Sequence, residues 1–88
     1  MDRAGEMRRR LEQALMPENL EIVDDSAQHV GHAGAQGGGG HYTVTIVSPA
    51  FSGRATVDRH RLVYQALGGL MGREIHALSI NAYAPNEL

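Results

Sequence analysis

The sequence predicts an α+β sandwich, in which helices cover one face of a three-stranded mixed sheet. Apolar residues recur at helical spacing in two segments, and β-branched or alternating residues mark three strands. The elements follow one another in the order helix, strand, strand, helix, strand. The chain has 88 residues, of which 42% are hydrophobic and 20% are charged. We therefore expect residues 1–88 to form a single domain with one modest core.

The first predicted element is a helix over residues 3–16. Asp2 is expected to cap its beginning, and Pro17 is expected to end it. The arginines at positions 8–10 are interpreted as a solvated face of this helix rather than as a binding patch. Its apolar positions are Ala4, Met7, Leu11, Ala14 and Leu15.

A hairpin with a long connection follows. Residues 20–24 alternate apolar and acidic side chains, and residues 41–47 (HYTVTIV) are rich in β-branched residues, so both are predicted strands. Between them the segment SAQHVGHAGAQGGGG, residues 26–40, predicts a flexible loop rich in glycine and histidine. Connections of this length in compact domains are usually functional or disordered.

The second half of the chain predicts a helix and a third strand. Phe51 lies in a turn and is a candidate for burial, and Thr56 is expected to cap a helix that runs to about Met71. The third strand covers residues 75–83, and residues 85–87 begin a short helical turn. A strand on each side of a helix predicts a parallel pair with a right-handed crossover. The apolar stripe of the helix is Val63, Ala66, Leu67, Leu70 and Met71.

Composition excludes several classes of protein. There is no cysteine, so the chain has no disulfide, no thiolate nucleophile and no cysteine-based metal site. It lacks an apolar run long enough to span a membrane, and no targeting segment is visible, so we expect a cytoplasmic protein. A net charge of −2 argues against broad attraction to a polyanion. No catalytic constellation is evident, and we expect no enzymatic activity.

A polar group occupies the first turn of the second predicted helix. Arg59 and His60 lie on the side of the apolar stripe, where the core face ends, and Arg61 points outward. Cations at a helix N-terminus oppose the macrodipole, and local conflicts of this kind are more common at functional sites. An equally weighted alternative is that Arg59 and His60 bond to the preceding turn or to a nearby carboxylate.

Histidines are the candidates for metal binding. His76 shares its strand face with Leu78 and Ile80, so alternation places it toward the helices, where a hydrogen-bonded structural role is favoured over ligation. His29 and His32 lie in the predicted loop. With a histidine on a rigid strand they could supply ligands to a metal centre that another molecule completes.

Longer motifs resemble one known family. FSGRATVDRHRLVYQAL followed by IHALSINAYAP resembles the BolA family, in which an F-x-G turn, an R-H-R-x-V-Y helix start and an H-A-L strand recur. Upstream, DDSAQHVGHAGAQGGGGHYTVTIVS is similar to the family's D/E-S-x-x-H loop and the strand after it. The resemblance covers nearly the whole chain and implies a fold similar to the type II KH domain.

The resemblance also implies a function. BolA-like proteins bind monothiol glutaredoxins and share a [2Fe-2S] cluster with the glutaredoxin and its glutathione, in iron-sulfur trafficking or iron sensing. It implies His76 and His29 as ligands, with His32 and His41 as substitutes for His29. In isolation the chain would carry no cofactor and would be a monomer or a weak homodimer.

A second role is implied by other members of the family. Some of them are DNA-binding transcriptional regulators of stress response and cell morphology. The residues implied here for nucleic-acid contact are Arg59, His60 and Arg61.

Overall fold

The computed structural model describes residues 2–26 and 40–88. The elements are helix α1 (Arg3–Leu15), strands β1 (Asn19–Asp24) and β2 (Gly40–Val47), helix α2 (Thr56–Leu67) and strand β3 (Ile75–Tyr83). Short 3-10 turns cover Pro49–Phe51, Gly68–Leu70 and Pro85–Glu87. The predicted order of elements and the final helical turn are confirmed. The predicted flexible loop falls almost entirely on residues 27–39, which lie outside the described residues.

The sheet is mixed, as the sequence predicts, and its strand order is β1-β2-β3. Strand β1 runs antiparallel to β2, with Asn19 opposite Val47 and Asp24 opposite Tyr42. Strand β3 runs parallel to β2. The central strand β2 is therefore paired along both of its edges, and β1 and β3 are the edge strands.

The core lies between the helices and one face of the sheet. Alternate residues of β2, Tyr42, Val44 and Ile46, are buried and form one cluster with side chains from both helices. Intervening residues such as Thr43 and Thr45 are half-buried on the opposite face. The helical and connecting residues of the cluster are Met7, Leu11, Leu15, Phe51, Val63, Leu67 and Leu70. The predicted sandwich with helices on one face is confirmed, and the likeness to a type II KH domain stays a prediction.

The end of the first helix differs slightly from the prediction. Helix α1 ends at Leu15, and Met16 adopts a left-handed conformation with φ 44° as its C-cap. The backbone N–H of Met16 donates to the Glu12 carbonyl, which satisfies one of the last helical acceptors. Asp2, within the described part of the chain, occupies the N-cap position, but its side chain makes no capping hydrogen bond.

Both predicted limits of the second helix are corrected. Thr56 is the first helical residue and not the cap, because Ala55 occupies the N-cap position with an extended backbone. The α-helix ends at Leu67 rather than near Met71, since Gly68 has φ 54° and breaks the helical path. A 3-10 turn then keeps Leu70 buried, so the apolar stripe continues past the end of the α-helix.

Helix α1 is shorter than the hydrocarbon core of a bilayer is thick. Helix α1 has 13 residues, which at about 1.5 Å per residue gives a length of about 20 Å. The hydrocarbon core of a bilayer is about 30 Å thick. Within the described ranges, no helix has the length and apolar character needed to cross a membrane.

Replacing Phe51 by alanine is expected to lower the free energy of unfolding by about 3 to 5 kcal/mol, because the ring is fully buried at the centre of the core. Urea unfolding of the two proteins measures the difference. Val57→Ala is the control, since Val57 is 56% exposed on α2 and its loss should change stability by no more than about 0.5 kcal/mol. Equal losses in the two variants would contradict the placement of Phe51.

Candidate functional site

A bulge at the beginning of β3 determines where His76 lies. Gly40 pairs with Ile75, but the next residue, His41, pairs with Ala77, so His76 is an extra residue in the ladder. Ile75 is fully buried, whereas His76 is exposed. The expectation that His76 faces the helices with Leu78 and Ile80 is therefore wrong, because strict alternation does not hold across the bulge.

His41 on the central strand lies next to His76. The centroids of the two imidazole rings are 5.2 Å apart, and the ring planes are tilted by 36°. His41 is half-buried, and its Nε2 atom has almost no contact with solvent. The two histidines therefore form a pair in which one ring lies against the protein and the other extends into solvent.

Backbone hydrogen bonds fix the surroundings of this pair. The His41 N–H donates to Ser26 Oγ at 3.0 Å, and the His41 carbonyl accepts from the Asp25 N–H at 2.7 Å. The Gly40 N–H donates to the Glu74 carbonyl at 3.0 Å. The residues on either side of segment 27–39 are thus joined to each other, and Gly40 is also joined to Glu74, directly before β3.

The predicted ligands of the loop cannot be placed. His29 and His32 lie outside the described residues, so the structure brings together only His41 and His76 of the four predicted candidates. The chain leaves the described part at Ser26, three positions before His29. Sequence reasoning included His41 only as a substitute for the loop ligand. The sequence also predicts that the strands over residues 41–47 and 75–83 are parallel, and this pairing would have placed His41 beside His76.

The described side chains suit a partial set of metal ligands. Over residues 2–26 and 40–88, no group of three or more His, Asp or Glu side chains converges to hold a metal ion. An exposed imidazole on a hydrogen-bonded strand can nevertheless donate one nitrogen, and histidine replaces cysteine on one iron of some [2Fe-2S] centres. Because this chain has no cysteine, any thiolate ligand must come from another molecule.

The second candidate group begins with Arg59, which is held in place by several acceptors. Its guanidinium donates to both carboxylate oxygens of Glu87, at 2.6 and 2.7 Å. The same group donates to the carbonyls of Arg54 at 2.9 Å and Ala82 at 3.1 Å. The side chain is only 11% exposed. For Arg59 the alternative is confirmed, since it bonds to the preceding turn and to a carboxylate.

The other two residues of this group have different surroundings. His60 is half-buried on α2, and the Arg61 side chain is 69% exposed with a 3.5 Å contact to Asp58. The structure therefore does not bring Arg59, His60 and Arg61 together as one exposed basic patch. Sequence reasoning missed Glu87 as the partner of Arg59, because 28 residues separate the two and no local pattern links them.

The ion pair also changes the acidity of Glu87. Hydrogen bonds from Arg59, and then from the Ala84 N–H, lower the pKa of the Glu87 carboxyl to about 2. On α1, hydrogen bonds from Arg9 and Arg10 lower the pKa of Glu6 to about 2 in the same way. Each carboxylate is therefore held in its charged form by arginine.

Comparison with protein families gives one match that covers most of the chain. The family model described as BolA-like protein matches residues 11–87. The solved structure of the BolA domain of SufE1 from Arabidopsis thaliana superimposes with a TM-score of 0.87 and 42% identity, and the match covers 100% of this chain and 98% of that one.

Curated relatives from plants and bacteria have similar sequences. Protein BOLA1, chloroplastic, and SufE-like protein 1, chloroplastic/mitochondrial, both from Arabidopsis thaliana, are 45% and 43% identical over 98% of this chain. The match spans only 56% of the first and 24% of the second. The DNA-binding transcriptional regulator BolA of Escherichia coli (strain K12) is 35% identical over 89% of this chain and 71% of its own length.

Acid is expected to destabilise the protein partly through Glu87. A carboxyl group whose pKa falls from 4.5 to about 2 on folding stabilises the folded state above pH 4.5, and this contribution is lost as the pH falls toward 2. Glu87→Gln should therefore weaken the pH dependence of the urea midpoint in this window. Glu18→Gln, at an exposed position outside the ion pair, is the control. An unchanged pH dependence in Glu87→Gln would argue against the pair.

Proposed function

The chain belongs to the BolA-like protein family, and from this premise we propose that it binds a monothiol glutaredoxin and shares a [2Fe-2S] cluster with it. In this proposal it acts in iron-sulfur trafficking or iron sensing and is not an enzyme. The proposal places it in the cytoplasm, with no cofactor in the isolated chain and a monomer or weak homodimer before the partner binds. The site it assigns to the cluster is the end of the sheet that carries His76.

The observation that carries the proposal is the exposed imidazole of His76 beside His41. His76 belongs to the H-A-L motif of the family resemblance, and the bulge turns it away from the core into solvent. A structural histidine satisfied within the core, the reading favoured by the sequence, would be buried instead. An exposed ring on a strand whose backbone is hydrogen-bonded supports binding to an external group.

Cysteine content supports a shared rather than a closed site. Iron-sulfur clusters are usually held by thiolates, and this chain has none. A glutaredoxin cysteine and the cysteine of glutathione would supply the sulfur ligands. His29, the loop ligand implied by the resemblance, remains part of the proposal because the hydrogen-bonded loop end at Ser26 begins three positions before it.

Within this proposal the chain has a binding role. The cluster, when bound, would supply electron transfer or transferable iron and sulfide. The chain's own residues would hold one imidazole nitrogen of His76 toward the partner and contribute the half-buried ring of His41 as its neighbour. Contacts from Asp25 and Ser26 would keep the end of the sheet in place around them.

Replacing His76 by alanine is expected to remove or alter the visible absorption and circular dichroism of the shared cluster, because one ligand is lost. The protein is mixed anaerobically with a monothiol glutaredoxin, glutathione, iron and sulfide, and the purified complex is measured. His60→Ala, which removes a histidine from α2, is the matched control and should keep the wild-type spectrum. A His76→Ala complex with an unchanged spectrum would reject His76 as a ligand, and a complex without any new signature would favour a docking adaptor.

A second candidate function is DNA binding in transcriptional regulation. It is favoured by the name of the Escherichia coli relative, which describes that protein as a DNA-binding transcriptional regulator. In this chain Arg61 is exposed near the middle of α2, and Arg54 lies exposed in the turn before the helix. Arg59 would contact phosphate only after leaving Glu87, so the candidate requires competition between DNA and that carboxylate.

Titration of a promoter fragment at two salt concentrations tests the second candidate. DNA binding should weaken with salt, with the logarithm of the binding constant falling by about 0.9 per neutralised phosphate for each tenfold rise in salt. Arg59→Ala with Arg61→Ala should reduce both affinity and this salt dependence. Arg8→Ala with Arg9→Ala removes the same charge from the exposed face of α1 and is the control. Equal losses in both double variants would indicate nonspecific attraction and reject the site.

A further inference from the structure

We infer that His41 is a positioning residue, which fixes the orientation of the His76 imidazole without itself binding the cluster. The inference deepens the proposed function and rests on it for the part that concerns the cluster. Its first part, the fixing of one ring by the other, concerns the isolated chain and can be tested there. The carrying observation is the 5.2 Å separation of the two ring centroids.

The exposed side chain of His76 has a defined orientation only when another side chain of the protein contacts it. It lies at the beginning of an edge strand, in a bulge, with an exposed side chain. Exposed side chains exchange between staggered rotamers, and ordering them costs conformational entropy. A ligand that must meet iron in one geometry binds better when its ring is already held in place.

His41 has the rigidity that His76 lacks. It lies on the central strand, which is paired on both sides, and it is half-buried. Its backbone N–H is bonded to Ser26 Oγ and its carbonyl to the Asp25 N–H. The ring separation falls within the range of about 4.5 to 7 Å in which aromatic rings attract each other. The His41 ring therefore forms a fixed surface against which the His76 ring rests.

The burial of one His41 nitrogen argues against that atom as a ligand. Its Nε2 atom has almost no contact with solvent, so a partner protein approaching from outside cannot reach that nitrogen without displacing part of the chain. The neighbouring His76 ring is exposed and is the accessible member of the pair. The Nε2 atom of His41 is therefore not accessible as a ligand atom, and the phenylalanine variant described below tests whether the ring binds iron through its other nitrogen.

The first test uses the isolated protein and nuclear magnetic resonance. Rings this close should give cross-relaxation between the side-chain protons of His41 and His76 in the unaltered chain. In His41→Ala the ring resonances of His76 should move and narrow, because the neighbouring ring is lost and the side chain becomes more mobile. Thr45→Ala is the control, because it changes another half-buried residue of β2 on the face of the sheet away from the helices. It should leave the His76 resonances in place. Absent cross-relaxation, or an unmoved His76 signal in His41→Ala, would overturn the inference.

The second test separates positioning from ligation in the complex with glutaredoxin. His41→Phe keeps a ring beside His76 but cannot bind iron, so the cluster spectrum should be retained with a lifetime within about twofold of the unaltered complex. His41→Ala should shorten that lifetime by about tenfold, which corresponds to about 1.4 kcal/mol in the barrier to cluster loss. Loss of the spectrum in His41→Phe, matching the effect of His76→Ala, would overturn the inference and make His41 a ligand.

The two tests also separate the inference from the proposed function. If no cluster forms in the unaltered complex, or if His76→Ala leaves its spectrum unchanged, the proposed function fails. The resonance measurements on the isolated chain still decide whether His41 orients His76. Cross-relaxation in the unaltered protein requires no substitution, so this decision does not depend on whether the His41 variants fold.

Discussion

The parallel pairing of β2 and β3 is the constraint on which the rest of the structure depends. Because parallel strands begin at the same end of a sheet, this pairing brings His41 and His76 together although 35 positions separate them in the chain. Antiparallel pairing of β1 with β2 then brings Asp24, the last residue of β1, to that same end of the sheet. The helices cover the opposite face and bury Tyr42, Val44 and Ile46, which fixes which residues of β2 are left for the site.

Most of the fold could be predicted from periodicity and local signals. The limits of β3 agree with the prediction at both ends, because β-branched and aromatic residues there lie between a glycine turn and a proline. The predicted end of α2 was wrong by several residues, because Leu70 and Met71 continue the apolar spacing that identifies a helix. A 3-10 turn presents apolar residues to a core at nearly the same spacing, so the pattern alone cannot distinguish the two.

The candidate site was less accessible to sequence reasoning. Family resemblance identified His76, but its predicted side of the sheet was wrong, because alternation assumes a regular strand and the bulge inserts one residue. Arg59 bonds to Glu87, which lies 28 positions further along the chain. An ion pair between residues so far apart leaves no local sequence pattern. These two features depend on tertiary geometry, whereas helix periodicity depends on residues a few positions apart.

The separation of Gly40 from Ile75 along the chain has a kinetic consequence. Pairing β2 with β3 requires closure of a long loop, and non-local pairings of this kind slow folding relative to local helix formation. Helix α2 lies entirely within that loop and can form early, but the two histidines meet only once the central strand has gained its parallel neighbour. During synthesis, the ring pair therefore arises late, after β3 has been made, and a nascent chain that lacks β3 carries the His41 ring without the His76 ring beside it.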